Sequence, residues 1–327
     1  MRFSSPVIEN ECLNVATCPL CNGVDVASRE KIPVNNVVKM YKSLLGIDVS
    51  EEFAEVVSFD CIRCGDCDLC YFSPAVSGSE HFYKMLQAFN WYYMDEKNEY
   101  DFARHLVKPT DDILEIGCGK GAFAKLINCK SFLGLEYSKE AQILASENGV
   151  KVISETIQNH STHKAQVYDV VCSFQVLEHV TDVRSFIESA VVCLKNNGLL
   201  IVSTPSSDSF AALVPNFILD MPPHHVTRWS DNSLINAAKL FNLDLLELWH
   251  EPLQDIHRGF YAQTICAHAV MELFRQQNRV WNDSFIYRFV SMACLIPSKL
   301  FAKCLPGRFS HPRGISVTAV FRKQAGE

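Results

Sequence analysis

The sequence predicts an α/β fold built around a mostly parallel sheet. Short β-type runs alternate with helical patterns from Asp111 to His250, which indicates βαβ units. Three glycines at alternate positions, Gly117, Gly119 and Gly121, follow the first apolar run, and a helical pattern follows them. About twenty residues further on, a second apolar run ends in the acidic Glu136. A strand, a tight glycine turn and a helix N-terminus in this order are typical of a site that holds a nucleoside-containing cofactor.

Seven β-type runs are expected to form the strands. They are Ile113–Ile116, Ser131–Leu135, Val150–Ile153, Val167–Ser173, Gly198–Ser203, Leu243–Trp249 and Gly314–Arg322. We assign residues 109–327 to this domain, with a helical insertion at about 253–312 before the last strand. Residues 81–108 are rich in aromatic side chains and predict a helical connector, in which Trp91, Tyr92 and Tyr93 either line a pocket or join the core. Residues 1–80 hold many of the cysteines, show little helical periodicity and predict a small separate module.

The residues around the glycine turn narrow the choice of cofactor. Gly117, Gly119 and Ala122 satisfy the dinucleotide fingerprint, so the glycines alone leave NAD and FAD open. Glu115, at the end of the first strand, is costly beside a pyrophosphate but useful near the ammonium of a methionine moiety. Glu136 lies where a carboxylate can accept hydrogen bonds from both ribose hydroxyls. These two carboxylates favour S-adenosylmethionine.

A second motif supports the same cofactor. The run Tyr168–Val180 predicts a buried strand that ends in a loop with Gln175, Glu178 and His179. Together with the glycine turn, this stretch resembles class I S-adenosylmethionine-dependent methyltransferases, whose motifs look like E-x-G-x-G-x-G and V-L-E-H. The resemblance implies a Rossmann-like sheet of seven strands with a reversed final strand. The residues expected to bind the cofactor are Glu115, Gly117, Gly119, Gly121, Glu136 and Gln175. Glu178 and His179 are interpreted as residues that cap or pack the following helix.

The cysteines of the N-terminal part have the spacing of a metal site. Two Cys-x-x-Cys knuckles on separate turns can present four thiolates to a structural zinc ion. The first knuckle is Cys18–Cys21, and the second lies within Cys61-x-x-Cys64-x-x-Cys67-x-x-Cys70, where any adjacent pair has the right spacing. The last four also resemble part of a ferredoxin motif, but their final gap is one residue short and the following proline is absent.

A resemblance bears on the choice among these cysteines. Many methyltransferases of this type carry an N-terminal zinc-binding module whose second knuckle runs into Leu, an aromatic residue and Pro. The ending Cys67-Asp-Leu-Cys-Tyr-Phe-Ser-Pro74 is similar, which implies Cys18, Cys21, Cys64 and Cys67 as ligands. Gly65 instead favours Cys61 with Cys64, so Cys61 and Cys70 remain alternatives.

The candidate catalytic residues follow the fifth strand. The stretch Asp220–Ser230 contains Pro222, Pro223, His224 and His225 on a loop beyond the carboxyl end of the sheet, where ligands of open α/β sheets bind. Methyl transfer to a hydroxyl or an acidic C–H needs a base near neutral pH as well as alignment. The loop resembles a His-rich loop of sugar and natural-product methyltransferases. By that resemblance His225 is the first choice for the base and His224 the second.

Composition limits the classes of partner and compartment. A net charge of -7 argues against a broad nucleic-acid footprint, which needs clustered Lys and Arg. The first residues lack the apolar stretch of a signal peptide, and no run reaches the roughly 18 to 20 apolar residues of a membrane span. These features predict a cytoplasmic protein. The segment Phe285–Leu305 is interrupted by Arg288, Pro297, Lys299 and Lys303. It is expected to pack against the catalytic domain or to contact a membrane peripherally.

The sequence therefore predicts S-adenosylmethionine-dependent O- or C-methylation of a small-molecule acceptor, such as a sugar, a glycan precursor or a related metabolite. One alternative is an RNA base methyltransferase that docks through a zinc ribbon, since some rRNA guanine methyltransferases carry one. The others are an NAD-binding oxidoreductase and a non-catalytic binding protein that kept the fold. The acidic composition disfavours the RNA enzyme, and the intact cofactor motif disfavours the non-catalytic protein.

Overall fold

A computed structural model of the chain describes residues 17–89, 92, 96–305 and 312–325. The helices are α1 Val34–Leu45, α2 Ser50–Phe53, α3 Glu80–Gln87, α4 Asn98–Ala103, α5 Lys139–Glu147, α6 Ile157–Ser161, α7 Val183–Cys193, α8 Asp231–Leu240, α9 Arg258–Leu273, α10 Phe285–Ala293 and α11 Leu295–Cys304. The strands are β1 Val26–Pro33, β2 Ser58–Cys64, β3 Cys70–Ser73, β4 Asp112–Ile116, β5 Ser131–Leu135, β6 Val152–Ile153, β7 Tyr168–Phe174, β8 Leu194–Pro205, β9 Thr227–Arg228, β10 Leu243–Pro252 and β11 Arg313–Lys323.

The large sheet has seven strands in the order β10-β11-β8-β7-β4-β5-β6. The neighbours from β8 to β6 are parallel, and β11 is antiparallel to both β8 and β10. All seven predicted strands are confirmed, as is the reversal of the last one. Because the middle strands are covered on both faces, they are nearly continuous apolar runs, such as the fully buried Val170–Phe174 stretch of β7.

A second, four-stranded sheet has the order β1-β2-β3-β9. Its first three strands come from the cysteine-rich segment, whereas β9 follows the two histidines of the predicted catalytic loop. The two-residue β9 pairs antiparallel with β3, and the amide of Phe72 donates to the carbonyl of Val226 at 3.0 Å. The cysteine-rich segment is therefore joined to the predicted catalytic loop by backbone hydrogen bonds.

The expectation of little helical structure in the N-terminal part was wrong. Helix α1 has 12 residues, and its buried side chains Val34, Val37 and Tyr41 recur at the spacing of one helix face. The Tyr41 hydroxyl donates to the carbonyl of Ile218 at 2.9 Å, so this helix also packs beneath the catalytic loop.

Between β10 and β11, the described residues form three α-helices, α9, α10 and α11. Helices α10 and α11 pack on α9 through Val290, Cys294 and Ser298, which are buried. Within the described ranges, no single helix is long and apolar enough to cross a membrane. Helices α10 and α11 meet that length and composition only as a pair, and the pair is bent by 48°.

Candidate functional site

A cavity of about 930 Å³ lies at the carboxyl ends of β4, β5, β7 and β8. The residues that follow these strands line it, including Gly117, Glu136, Gln175 and Ser206. This edge of a parallel sheet is where open α/β folds bind their ligands. The cavity also extends to His224 and His225, so one continuous space joins the predicted cofactor and catalytic residues.

The glycine turn has the backbone that the motif predicts. Gly117, Gly119 and Gly121 all have positive φ, at 72°, 53° and 75°. A Cβ on Gly117 would lie 2.5 Å from Val176, and one on Gly121 would lie 2.7 Å from Val150. Gly117 and Gly119 line the cavity, whereas Gly121 does not. Gly121 therefore shapes the turn rather than facing the ligand.

Glu136 bridges two loops at the cavity wall. One carboxylate oxygen accepts from the amide of Gly119 at 2.9 Å, and the other accepts from the amide of Ser138 at 2.8 Å. Each carboxylate oxygen can accept more than one hydrogen bond, so capacity remains for the hydroxyls of a ligand. The bridge fixes the carboxylate next to the glycine turn.

Glu115 is placed differently from the other predicted cofactor residues. It is buried in β4 and does not line the cavity. Burial raises the pKa of its carboxyl well above the usual value, with the Glu136 charge adding to the rise and Lys97 opposing it. One oxygen, Oε2, has no hydrogen-bond partner among the described residues. A nearby cationic ligand group would favour ionisation of this carboxyl.

Gln175 sits at the end of β7 in an unusual backbone conformation. Its φ is 57°, a region that few non-glycine residues adopt. Its side-chain amide donates to Ser203 and Ser316 at 3.3 and 3.2 Å, and to Glu99 at 3.3 Å. Such strained positions persist where surrounding contacts hold them, and they cluster at functional sites.

Three imidazoles meet at the other end of the cavity. The Nδ1 atom of His224 lies 2.8 Å from the carbonyl of Leu219, and Nδ1 of His179 lies 2.5 Å from the carbonyl of His224. Because a carbonyl only accepts hydrogen bonds, both Nδ1 atoms must carry the proton. The Nε2 atoms are then left with free lone pairs, and Nε2 of His224 has no partner among the described residues.

The Nδ1 atom of His225 also lies next to a hydrogen-bond acceptor, in this case a carboxylate. Its Nδ1 lies 3.2 Å from Oδ1 of Asp220, whose other oxygen accepts from Arg228 at 2.8 Å. Its Nε2 lies 4.0 Å from Oε1 of Glu178, which is also 3.9 Å from Nε2 of His179. The His225 ring stacks on that of His224 with centroids 4.4 Å apart, and it meets the His179 ring edge-to-face at 4.8 Å.

Burial keeps these rings neutral. It lowers the pKa of His179 to about 4 and the pKa values of His224 and His225 well below their usual range. Burial also raises the pKa of Glu178 to about 8. The neutral rings have lone pairs that can accept a proton, but pKa values this low make each ring a weaker base than the near-neutral base that the sequence predicts. One ring nitrogen of each histidine lies within 4.8 Å of the others, a spacing that could also hold a metal ion.

The interpretation of Glu178 and His179 as capping or packing residues misses their position. Both line the cavity, and Tyr83, which also lines it, lies with its hydroxyl 3.1 Å from Nδ1 of His179. The signal that could have placed them is the V-L-E-H motif itself, since it directly follows a strand that ends at the ligand edge. Tyr92 also lines the cavity, while Trp91 and Tyr93 lie outside the described residues.

Four cysteine sulfurs come together away from this cavity. The Sγ atoms of Cys18 and Cys67 are 3.5 Å apart, as are those of Cys21 and Cys64, and all four lie within 4.8 Å of one another. Tetrahedral ligation with bonds of about 2.3 Å places sulfurs about 3.8 Å apart, so the cluster fits a zinc ion. The alternatives Cys61 and Cys70 instead form a separate pair with Sγ atoms 3.2 Å apart.

Comparison with known proteins gives the following likenesses. Residues 89–248 match the family model described as a methyltransferase domain. The chain is 30% identical over 148 residues to a probable S-adenosylmethionine-dependent methyltransferase of Mycobacterium tuberculosis, covering 43% of this chain and 53% of that protein. It is 37% identical over 100 residues to a ubiquinone biosynthesis O-methyltransferase of Vibrio vulnificus, covering 28% of this chain and 43% of that one. The chain thus spans about half the length of the curated relatives it matches.

Among solved structures, a SAM-dependent methyltransferase from Archaeoglobus fulgidus is 16% identical, with a TM-score of 0.46. The match covers 75% of this chain and 100% of that one.

Proposed function

We propose that this chain, which carries a methyltransferase domain of the S-adenosylmethionine-dependent class, transfers a methyl group to a small-molecule acceptor. The observation that carries the proposal is the single cavity of about 930 Å³, which joins the glycine turn to the three neutral imidazoles. A methyl donor and an acceptor must meet within one enclosed space for in-line displacement, because alignment supplies much of the rate.

The glycine turn and its neighbours would hold the cofactor. Gly117 and Gly119 let the backbone approach the ligand closely, and Glu136 would accept hydrogen bonds from the ribose hydroxyls. Glu115, with its unpartnered Oε2, suits the charge of a nearby ammonium. Gly121 would maintain the turn, and Gln175 would border the cofactor from β7. When bound, the cofactor supplies a methyl group on an electrophilic sulfonium.

His225 would act as the general base. Its Nε2 lone pair would take the proton from an acceptor hydroxyl or acidic C–H as the methyl group is transferred, and Asp220 would stabilise the resulting imidazolium through Nδ1. His224, whose Nε2 is also free, is the second candidate. Both imidazoles can accept a proton because their buried surroundings keep them unprotonated at neutral pH.

For the acceptor class, we propose a hydroxyl-bearing metabolite, with a sugar or glycan precursor as the first class to test. The name of the Vibrio relative supports O-methylation of a small molecule. C-methylation of an acidic carbon remains open to the same base. An RNA target has less support because the net charge is -7. We also propose the cytoplasm as the compartment, since none of the described cysteines forms a disulfide.

The four clustered cysteines would hold a structural zinc ion. Their sulfur spacing supports this assignment, and a metal bound there would add folding free energy. Elemental analysis should find zinc, and replacement by Co²⁺ should give the absorption of tetrahedral thiolate ligation. Iron with labile sulfide would contradict the assignment.

Calorimetry tests the central proposal. S-adenosylmethionine and S-adenosylhomocysteine should bind with dissociation constants of about 1 μM or lower, roughly -8 kcal/mol, and NADH should not bind. Binding of NADH without either sulfur nucleoside would overturn it. An acceptor screen then follows transfer of the labelled methyl group to hydroxyl-bearing metabolites. Each reaction is run with and without a chelator, because the three histidines could also bind a cation.

A further inference from the structure

The outer face of α10 and α11 is unusually apolar. Phe285, Phe289, Met292, Ile296 and Leu300 have exposed fractions of 80%, 61%, 67%, 76% and 65%. Within each helix the spacing of three or four residues places them on one face, with Phe285, Phe289 and Met292 on α10 and Ile296 and Leu300 on α11. We call these two faces together the apolar stripe. Scattered exposed apolar residues are normal on protein surfaces, but a contiguous set of large ones marks a contact surface.

Packing within the protein does not account for this stripe. The two helices contact α9 through Val290, Cys294 and Ser298, on the opposite side. The hydrophobic cluster on that side also contains Ala267 and Met271 of α9. The helices are thus held by a narrow inner face, while their largest apolar side chains point outward.

Charge on the same two helices indicates the kind of partner. From Phe285 to Leu305 the sequence contains Arg288, Lys299 and Lys303 but no aspartate or glutamate. The chain as a whole carries a net charge of -7, so this segment is locally basic on an acidic protein. Cations beside an apolar stripe complement an anionic lipid surface, to which each adds electrostatic attraction.

The helices have the geometry to lie on a bilayer. They contain nine and ten residues, well short of the roughly 20 that span one, and they are bent by 48° at their junction. On their other side, Phe260 of α9 packs edge-to-face on Phe217 at 5.8 Å, and Phe217 lines the cavity. Helices α9, α10 and α11 therefore link the outward apolar stripe to the cavity wall at Phe217.

We propose that the apolar stripe docks this protein on an anionic lipid bilayer, which brings the acceptor end of the cavity to the membrane. It follows that the acceptor is amphiphilic and held in that bilayer, a consequence that rests on the proposed methyl transfer. The docking itself does not rest on it, and the two are tested separately.

Vesicle sedimentation tests the docking with the full chain. Vesicles of phosphatidylcholine mixed with phosphatidylglycerol should bind the protein at least about tenfold more tightly than vesicles of phosphatidylcholine alone. The double variant Phe285→Glu/Phe289→Glu should lose that binding. Lys299→Glu/Lys303→Glu should weaken binding to the anionic vesicles only. The matched control is Ile143→Glu, which changes a residue 59% exposed on the distant helix α5.

Several outcomes would overturn the docking. One is equal sedimentation of wild type and the Phe285→Glu/Phe289→Glu variant. Another is light scattering that finds a dimer which this variant dissociates, without vesicle binding, because the stripe would then join two copies of the chain. A circular dichroism spectrum and a Tm equal to those of wild type verify that the variant is folded.

A label-transfer assay tests the acceptor class. Methyl label from S-adenosylmethionine should enter a product that partitions into organic solvent when membrane lipid extract is supplied. Label found only in water-soluble product would contradict an amphiphilic acceptor while leaving vesicle binding intact. Absence of cofactor binding would instead contradict the proposed function.

Discussion

The two ends of the cavity, where we propose that the cofactor and the acceptor bind, are built in opposite ways. At the cofactor end, the glycine turn and Glu136 come from two adjacent βα units, and Glu136 contacts a residue only 17 positions away. At the acceptor end, His179 contacts His224 across 45 positions and Tyr83 across 96. One end is therefore specified by a short local motif and the other by the way distant segments pack.

The two ends of the cavity are also supported by different sheets. The glycine turn follows a strand of the large sheet. The loop that carries His224 and His225, which we call the histidine loop, leads instead into β9 of the small sheet of the cysteine-rich segment. Gly78 donates to the carbonyl of Pro223 at 2.7 Å, and Val226 donates to the carbonyl of Glu178 at 2.9 Å. The acceptor end should thus respond to changes in the cysteine-rich segment that the cofactor end does not sense.

The largest effect is expected at the acceptor end. His225→Ala or His225→Asn should lower turnover by about 10² to 10⁴ while leaving cofactor affinity nearly unchanged, because proton transfer belongs to the chemical step. Turnover is measured with an acceptor from the screen, and affinity by calorimetry. His163→Ala, at an exposed histidine, is the control. Unchanged turnover in both His225 variants would mean that the site works by alignment alone.

The matching test at the cofactor end is Gly119→Val. A branched side chain at a positive φ of 53° strains the turn and occupies the cavity wall, so cofactor affinity should fall by about 10² to 10³. Calorimetry measures this loss. Gly259→Val is the control, because a Cβ there meets nothing within 4 Å. If both variants bind equally well, Gly119 does not approach the ligand.

Cys18→Ser separates the two ends. Loss of the proposed zinc ion should lower Tm by about 10 °C, because metal binding contributes several kcal/mol to folding. At a temperature where the variant is folded, cofactor affinity should be kept and turnover reduced. Cys304→Ser, at an exposed cysteine, serves as the control. Equal losses of affinity and turnover would show that the ends are not independent.

Glu136→Ala should have a smaller effect on affinity. It removes the proposed hydrogen bonds to the ribose and also the bridge from Gly119 to Ser138, which together should weaken cofactor binding by about 10 to 10². Glu136→Gln keeps one acceptor oxygen and should fall between the alanine variant and wild type in calorimetry. Wild-type affinity in Glu136→Ala would contradict the ribose contact.

The smallest expected effect is on the pH profile. A base must be unprotonated to act, and burial lowers the pKa of His225, so the active form persists as the solution is acidified below the usual histidine range. The acid limb of kcat should therefore lie below pH 6.5. A limb at or above that pH would contradict the buried, neutral ring.

The backbone of the glycine turn could be predicted from the sequence, whereas the position of His179 could not, for a physical reason. Gly117, Gly119 and Glu136 belong to a contiguous pattern in which the backbone conformation itself is the signal. The position of His179 depends on packing against a loop far along the chain, which no local pattern contains. Helix α1 was missed for a related reason, since its buried face is completed by contacts to the distant residue Ile218.

The cysteines illustrate a third case, in which spacing is ambiguous and strand geometry decides. Cys61 and Cys64 are three residues apart in β2, so their side chains point to opposite faces. Cys64 ends β2 and Cys67 lies in the turn before β3, so the two side chains can point the same way. The grouping of Cys64 and Cys67 with Cys18 and Cys21 follows from this hairpin and not from the Cys-x-x-Cys pattern.

The small strand β9 limits how this protein can be dissected or recombined. A fragment that starts after residue 80 would keep Thr227 and Arg228 but lose the edge to which they add. It would also open the buried Arg228–Asp220 pair, which anchors His225, to solvent. Exchanging the cysteine-rich segment between homologous proteins would therefore also exchange the support of the histidine loop, so these two parts should be inherited and engineered as one unit.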